Sequence, residues 1–188
     1  MIKSKLIYAV KDAVGKQYGD RTIAETASNV IIQIFGQLFA RDLSQWDLYV
    51  KEYVADIVRT DTEVYALHPV PVIQLPDSAN GVRFIYSEKE SNRRFEPMPQ
   101  QSFITYSKLG MSELTQTVGY MVYTDRTKFW NLPLSVEKVR EHIVTPFAEW
   151  SDEEDFPLPS GMAQTIIDAT VDSMRGNPTA TNIYKPKQ

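Results

Sequence analysis

The sequence predicts an α+β chain: an N-terminal helical bundle, a β-rich central region with a protruding hairpin, and a closing helix with an extended tail. Three observations carry this. Apolar residues recur at helical spacing up to about residue 60. From Asp61 the chain turns to β-branched and aromatic residues broken by turn chemistry. Helical spacing then returns at Met162.

The first helix places Ile2, Leu6, Ile7, Val10 and Val14 on one face, and Gly15 stops it. A second opens at Thr22 with Glu25 in capping-box spacing, and runs through Val30, Ile31, Ile34, Phe35 and Leu38 to about Arg41. Ser44 and Asp47 repeat the capping pattern. They introduce a third predicted helix with Trp46, Val50, Tyr53, Val54 and Ile57 on its apolar face. In the centre, Val70, Val72 and Ile73 form a strand candidate ending at Leu75-Pro76-Asp77. Asn80-Gly81 reads as a tight turn into a strand over Val82–Tyr86. Ser87–Arg94 is a charged hairpin tip or loop, and Phe103–Tyr106 and Thr117–Tyr123 are further strands.

Val136, Val139, Ile143, Val144 and Phe147 frame a last strand-like segment, closed by Trp150. In Ser151–Pro159, four acids (Asp152, Glu153, Glu154, Asp155) meet Pro157 and Pro159, which makes an exposed turn. Ser160 stands at the N-cap of a helix carrying Met162, Ala163, Ile166, Ile167, Thr170, Val171 and Met174, stopped by Gly176. The expected organisation is one domain over 1–176: a helical part at 1–60, a β-rich part at 61–150 and the closing helix at 151–176. Residues 177–188 form an extended tail.

Composition bounds the function. An apolar share of 43% and a charged share of 23% belong to a globular chain. The net charge of -4 opposes general nucleic-acid binding over the whole surface. With no cysteine, disulfides and thiolate metal sites are excluded. No apolar run approaches the roughly 18 residues of a membrane span, and Lys11 and Asp12 interrupt the N-terminal apolar stretch too early for a signal peptide. A soluble protein with no membrane partner is expected.

Catalytic motifs are missing from the sequence: there is no Gly-rich phosphate loop, no G-x-S-x-G and no H-E-x-x-H. No catalytic, cofactor-binding or metal residue is assigned, and no cofactor is expected. Asp152–Asp155 lacks the alternation of a calcium loop and reads as a solvated or partner-facing turn. His142, among apolar positions, reads as a packed or surface histidine, and Trp46, Tyr49 and Tyr53 as packing aromatics. Lys89, Arg93 and Arg94, with Arg83, form a basic group that is either a solvated tip or a contact to phosphates or an acidic partner. In the tail, Ile183 and Tyr184 make an apolar anchor beside Lys185 and Lys187. An extended segment of this kind suits addition to a neighbour's groove or sheet edge.

The order of these features resembles the head–tail adaptor proteins of short-tailed bacteriophages, including ring proteins of the crAss-like phages. The resemblance rests on Leu75-Pro76-Asp77 before Val82–Tyr86, on Tyr123-Thr124-Asp125-Arg126 before Val136–Phe147, and on Asp155-Phe156-Pro157-Leu158-Pro159 before Met162–Arg175. It implies a non-enzymatic virion protein made in the host cytoplasm. Such a protein forms a homo-oligomeric, dodecameric ring beneath the portal protein, meets tail or further ring proteins, and surrounds passing DNA without reading its sequence. Two other classes are weighed against it: a small phage- or bacteria-encoded binding or inhibitor module, and a small enzyme with a site built from scattered Asp, Glu, Arg and Tyr. A head-to-tail interface that closes separates the first from the others.

Overall fold

Helices at both ends and a central seven-stranded sheet make a mixed α/β chain. The structure, a computed structural model, describes residues 1–40, 42–74, 81–90, 93–99, 102 and 117–176. The expected features at Leu75-Pro76-Asp77, Asn80, Phe103–Tyr106 and Asn177–Gln188 lie outside the described residues. The chain divides into two compact units: a helical one built from Met1–Tyr49 and 145–176, and a β unit built from Val50–Gln74 and 81–144.

In the helical unit, α1 (Lys3–Val14) buries Leu6, Ile7 and Val10 and ends at Gly15, as its spacing requires. Helix α2 (Asp20–Leu38) buries Ile23, Ala24, Ala27, Val30, Ile31, Ile34 and Phe35. Its start corrects the expected capping box, because Gly19 is the N-cap and Thr22 is already helical. Glu25 pairs instead with Arg21 one turn back, at 2.7 Å. The closing helix α3 (Met162–Met174) buries Ile166, Ala169, Thr170 and Val171 and packs on both α1 and α2. Its N-cap is Gly161 rather than Ser160. Gly161 has φ +80, a left-handed geometry that glycine alone takes without strain.

An aromatic cluster fills the middle of this unit. Phe35 lies 5.0 Å from Phe39 and 5.2 Å from Tyr49, and Phe156 lies 5.1 Å from Phe147 and 4.9 Å from Trp150. The acidic turn is therefore exposed only in part, since Phe156 within it is a core residue. Among the described residues, Trp46 Nε1 is the buried side-chain polar atom left without a hydrogen bond.

The third predicted helix is not formed. Leu43–Tyr49 is a 3-10 turn, and Asp42 holds its start by accepting hydrogen bonds from Ser44 and Gln45. The chain then becomes strand β1 (Val50–Arg59), so the helical part ends before residue 60. The physical reason is that Val50, Val54, Ile57 and Val58 are β-branched and lose rotamer freedom in a helix but not in a strand. Positions 50, 53, 54 and 57 fit a helix face by spacing, while Tyr53, Ala55 and Ile57 also fit the inner face of a strand, and pairing decides.

The remaining strands are β2 (Val64–Leu67), β3 (Val82–Tyr86), β4 (Arg94–Pro97), β5 (Thr117–Val122), β6 (Arg126–Trp130) and β7 (Lys138–Val144). Their order is β3-β7-β1-β2-β6-β5-β4, antiparallel except for the parallel β4–β5 pair. The expected strand at Val70–Ile73 is absent; Pro69 and Pro71 remove the donors a ladder needs, and β2 forms upstream instead.

No hairpin spans Ser87–Arg94, because β3 pairs with β7 and β4 with β5. A flat seven-stranded sheet would hold its edges roughly 29 Å apart, and the short connection between β3 and β4, fully extended, reaches only about 27 Å. Part of that connection is coiled into the 3-10 turn Glu88–Glu90, so the sheet curls until its edge strands approach. Strand β1 serves both halves: Val50–Asp56 pair with β7 and Ile57–Arg59 with β2. The curl encloses one core of Ala55, Ala66, Val82, Ile85, Val118, Tyr120, Phe129, Leu132, Val136, Val139 and Ile143. A register shift between Val82 and Phe84 breaks simple alternation in β3. Val82 and Ile85 point inward, while Phe84 and Tyr86 stand opposite His142 and Arg140 on the outer face.

Candidate protein-interaction face

Three arrangements in the β unit place side chains that carry chemistry. The first is internal. Glu141 lies on the inner face of β7, opposite Tyr53 and Ile85, and its side chain is 0% exposed. Thr127 Oγ1 donates to Glu141 Oε1 at 2.9 Å, and His68 Nδ1 lies 2.9 Å from Oε2. The His68 side chain is 1% exposed, and its Nε2 faces the Tyr123 carbonyl at 3.2 Å. These bonds tie β7 to β6 and to the residue following β2 across the interior. The Thr127 hydroxyl is committed to the carboxylate and not to the imidazole, so the order nucleophile–base–orienter is not set up. The cluster is a buried polar tie.

The second arrangement covers the outside of β1, β7 and β3. Glu52 accepts from the Tyr86 hydroxyl at 2.7 Å, pairs with Arg140, and lies 3.2 Å from His142 Nε2. The Tyr86 hydroxyl, and then Arg140 and His142, hold the Glu52 carboxyl below the usual range against a smaller opposing effect of desolvation. Arg140 also reaches Glu88 at 2.5 Å. Phe84 stacks on His142 with centroids 4.0 Å apart, so the histidine is a packed surface residue, as its neighbours in sequence suggest. Every ionisable group of this cluster is answered by another.

The third is the outer face of β2, β6 and β5. Strand alternation puts Tyr65 and Leu67 of β2, Arg126, Lys128 and Trp130 of β6, and Met121 of β5 on one side, with Tyr123 at the strand's end. The Arg126 guanidinium sits 4.9 Å over the Tyr65 ring, and Lys128 Nζ sits 5.1 Å from the Tyr123 centroid. Arg126 is anchored by Asp125 at 2.7 Å and Lys128 by Glu63 at 2.6 Å. The ion pair holds the Asp125 carboxyl down and pushes the Arg126 guanidinium up. Leu67 is 53% exposed at one end of this face. Tyrosine, tryptophan, methionine and arginine held in fixed positions are the composition enriched at protein–protein contacts.

At the far end of β6 the loop 131–137 presents a leucine. Asn131 turns with φ +59 and donates through Nδ2 to the Thr117 carbonyl at 3.1 Å. Leu132 and Val136 are buried, whereas Leu134 between them is 85% exposed. Arg59 clasps the loop: one terminal nitrogen donates to the carbonyls of Pro133 at 2.7 Å and Val136 at 3.0 Å, and the other reaches Leu132 O at 3.5 Å. A large apolar side chain is thus held in water on a backbone fixed by a guanidinium.

Of the residues singled out from sequence, Lys89 lies on the 3-10 turn, exposed and 3.6 Å from Glu137. Arg94 opens β4 with Nε 2.7 Å from Glu96, and Arg93 precedes it. In the helical unit, Asp152 lies 3.2 Å from Lys3 Nζ, and Asp155 bridges Ile2 and pairs with the Met1 amino group. Glu153 is exposed, and the Glu154 amide donates to Ser151 O at 3.2 Å. The acidic turn is therefore fastened to the start of α1. Trp46 and Tyr49 pack in the helical unit while Tyr53 borders the β core. Ile183, Tyr184, Lys185 and Lys187 lie outside the described residues.

Sequence reasoning missed β2 and β6, and with them Tyr65, Leu67, Arg126, Lys128 and Trp130. The signal was present: Arg126-Thr127-Lys128-Phe129-Trp130 alternates long outward side chains with Thr127 and Phe129, both buried. Among the described residues no three His, Cys, Asp or Glu side chains converge on a metal position, and no helix is long and apolar enough to cross a membrane. Comparison with protein-family models finds no match, and comparison with curated proteins finds no significant match.

Proposed function

We propose that this protein is a structural assembly subunit, a head–tail adaptor of a short-tailed bacteriophage that forms a homo-oligomeric ring beneath the portal protein. The observation that carries the proposal is the outer face of β2–β6–β5 with the clasped Leu134 loop. Both display apolar side chains on backbone that is already fixed, which lowers the ordering cost of a permanent contact. The order of elements supports it as well, since helices, a β-rich centre, an acidic turn and a closing helix follow one another as in the adaptors that the sequence resembles.

In this role the outer face of the β unit makes the principal contacts. Portal, tail or further ring proteins are the partners, with DNA passing through the channel. The basic residues Lys89, Arg93 and Arg94, the acidic turn Asp152–Asp155 and the tail residues Ile183, Tyr184, Lys185 and Lys187 are further contact candidates.

The test is negative-stain electron microscopy with light scattering on the concentrated protein, alone and mixed with the portal protein of the same virion. Closed rings in either sample are expected. A monomer in both, with no portal complex, would contradict the proposal.

A further inference from the structure

We propose that His68 and Glu141 share a buried proton that the unfolded chain does not hold at neutral pH, and that this proton latches the turn between β5 and β6. The latch lies inside the β unit and stands independently of the ring-subunit proposal.

His68 faces an acceptor on each side. Nδ1 lies 2.9 Å from Glu141 Oε2, and Nε2 lies 3.2 Å from the Tyr123 carbonyl. The two side chains are 1% and 0% exposed, so water does not supply the donors. A carbonyl oxygen brings no proton, and Nε2 must therefore carry one. The contact between Nδ1 and Oε2 needs another, resting on the nitrogen or on the oxygen. The Thr127 hydroxyl does not provide it, because it donates to Oε1. Wherever the bridging proton rests, the pair holds one proton more than a neutral imidazole beside a carboxylate.

In an unfolded chain a histidine gives up its proton above about pH 6.5, while a glutamate is ionised above about pH 4.3. Folding at neutral pH therefore takes up one proton. The stability this contributes is fully present in mildly acidic solution below about pH 6.5. It is lost as pH rises, until the folded pair releases its proton as well.

The other titratable groups around the pair come from three directions. Tyr53 stands opposite Glu141 on β1, Tyr120 lies on β5, and Asp125 lies in the turn. Burial, and then the Glu141 charge, push the Tyr120 phenol up to about 12. Arg126 holds the Asp125 carboxyl down, with a smaller contribution from His68. Phenols titrate near about pH 10 and carboxyls near about pH 4. A proton exchanged by this cluster between about pH 6.5 and 9 thus belongs to His68 and Glu141.

Bond strength decides what breaks on release. A hydrogen bond to a carboxylate is roughly twice as strong as one between neutral groups. The remaining ring proton therefore stays on Nδ1, towards Glu141, and Nε2 turns a lone pair to the Tyr123 carbonyl. Across the same turn the Tyr123 amide donates to the Arg126 carbonyl at 2.8 Å, and the His68 amide donates to the Asp125 carbonyl at 3.0 Å. Residue 68 grips the turn through its ring and through its backbone, and release of the proton removes the first grip.

The test compares two full-length chains, one carrying His142→Gln, which leaves His68 as its one histidine, and one carrying His68→Gln in addition. In urea unfolding between about pH 6 and 9, the unfolding equilibrium constant of the first should rise towards tenfold per pH unit relative to the second. Nitrogen-15 NMR of the His68 ring should show Nε2 as the nitrogen that loses its proton. At that pH the amides of Tyr123 and His68 should lose hydrogen-exchange protection severalfold beyond the amides of β7.

A constant ratio of the two unfolding constants would show that folding takes up no proton, and would overturn the proposal. A protonated Nε2 after release, or turn amides that keep pace with β7, would overturn the latch. If His68→Gln fails to fold, the His68 ring nitrogens and the Glu141 carboxyl carbon of the first chain decide by NMR at pH 7.5. A proton on Nδ1 or on the carboxyl, with Nε2 protonated, would support the proposal; a neutral ring beside an ionised carboxylate would overturn it.

Discussion

The helical unit and the β unit are closed by opposite kinds of core. In the helical unit the centre is aromatic, with Phe35, Phe39, Trp46, Tyr49, Phe147, Trp150 and Phe156 in mutual contact. Among the described residues of this unit Lys3 is the buried cation; it lies at the start of α1, where Nζ donates to the carbonyls of Ala148 and Trp150 at 2.8 and 2.7 Å. In the β unit a carboxylate on β7 sits within the interior, and β6 and the residue following β2 are tied to it through Thr127 and His68. The lesson is about what each unit tolerates. An aromatic core depends on volume, and the buried charge beside it, Lys3, is met by backbone carbonyls at its edge. A curled sheet tied through Glu141 depends on matched polar partners, and leaves apolar side chains such as Leu67 and Leu134 on its outside.

The largest effect should come from placing a charge in the helical unit. Ile166 is fully buried on α3, and Ile166→Asp leaves a carboxylate with no partner among apolar neighbours. A loss of more than about 4 kcal/mol is expected, enough to unfold the unit or remove the protein from the soluble fraction. A folded, soluble variant in a thermal melt would show that α3 does not close the core.

The complementary change in the β unit should cost somewhat less. Glu141→Leu leaves Thr127 and His68 without their acceptor inside the β unit, and about 3–5 kcal/mol of stability should be lost in urea unfolding. The double variant Glu141→Leu with His68→Leu should recover a good part of it, because both ends of the pair are then apolar. Additive losses in the double variant would mean that the two residues are not coupled.

High pH should weaken both units. Burial pushes the Tyr49 phenol in the helical unit, and the Tyr120 phenol in the β unit, up to about 12 from an ordinary 10. A raised value contributes stability that is fully present below pH 10 and is lost as pH rises towards 12, where the unfolded chain gives up these protons first. Tyr49→Phe should flatten that decline for the helical unit, at the expense of the hydrogen bond its hydroxyl donates to Pro157 O at 2.8 Å. An unchanged alkaline slope would remove Tyr49 as its source.

The smallest effect is expected on the outer face of the β unit at low pH. Glu52 is held below its ordinary value, chiefly by the Tyr86 hydroxyl, so its contribution is present above about pH 4.5 and fades as pH falls through the depressed value. Tyr86→Phe should reduce the acid sensitivity of the β unit slightly in a pH series of melts. An unaltered series would show that this exposed cluster adds nothing measurable.

Much of the helical unit could be read from residues close together in sequence. Leu6, Ile7 and Val10, or Ile166, Ala169 and Thr170, lie one turn apart, and their glycine stops are local too. The β unit was less legible because its deciding contacts are distant. Val50–Arg59 fits a helix by spacing and becomes a strand only because β7, about 90 residues onward, pairs with it. The β3 bulge, which sends Phe84 outward, leaves no mark in the alternation of Val82–Tyr86. The outer face of β2, β6 and β5 was hidden for the same reason: Tyr65, Arg126 and Met121 come from three short strands and share a side only once paired.

The proposal that the β unit carries the association surface is tested most directly by hydroxyl-radical footprinting of dilute and assembled protein. Tyr65, Met121, Tyr123, Trp130 and Leu134 report on the β unit, and Tyr8, 64% exposed on α1, reports on the helical unit. Assembly should lower labelling at Leu134, Tyr123 and Met121 severalfold and leave Tyr8 unchanged. Protection at Tyr8 with full labelling of Leu134 and Tyr123 would contradict the account.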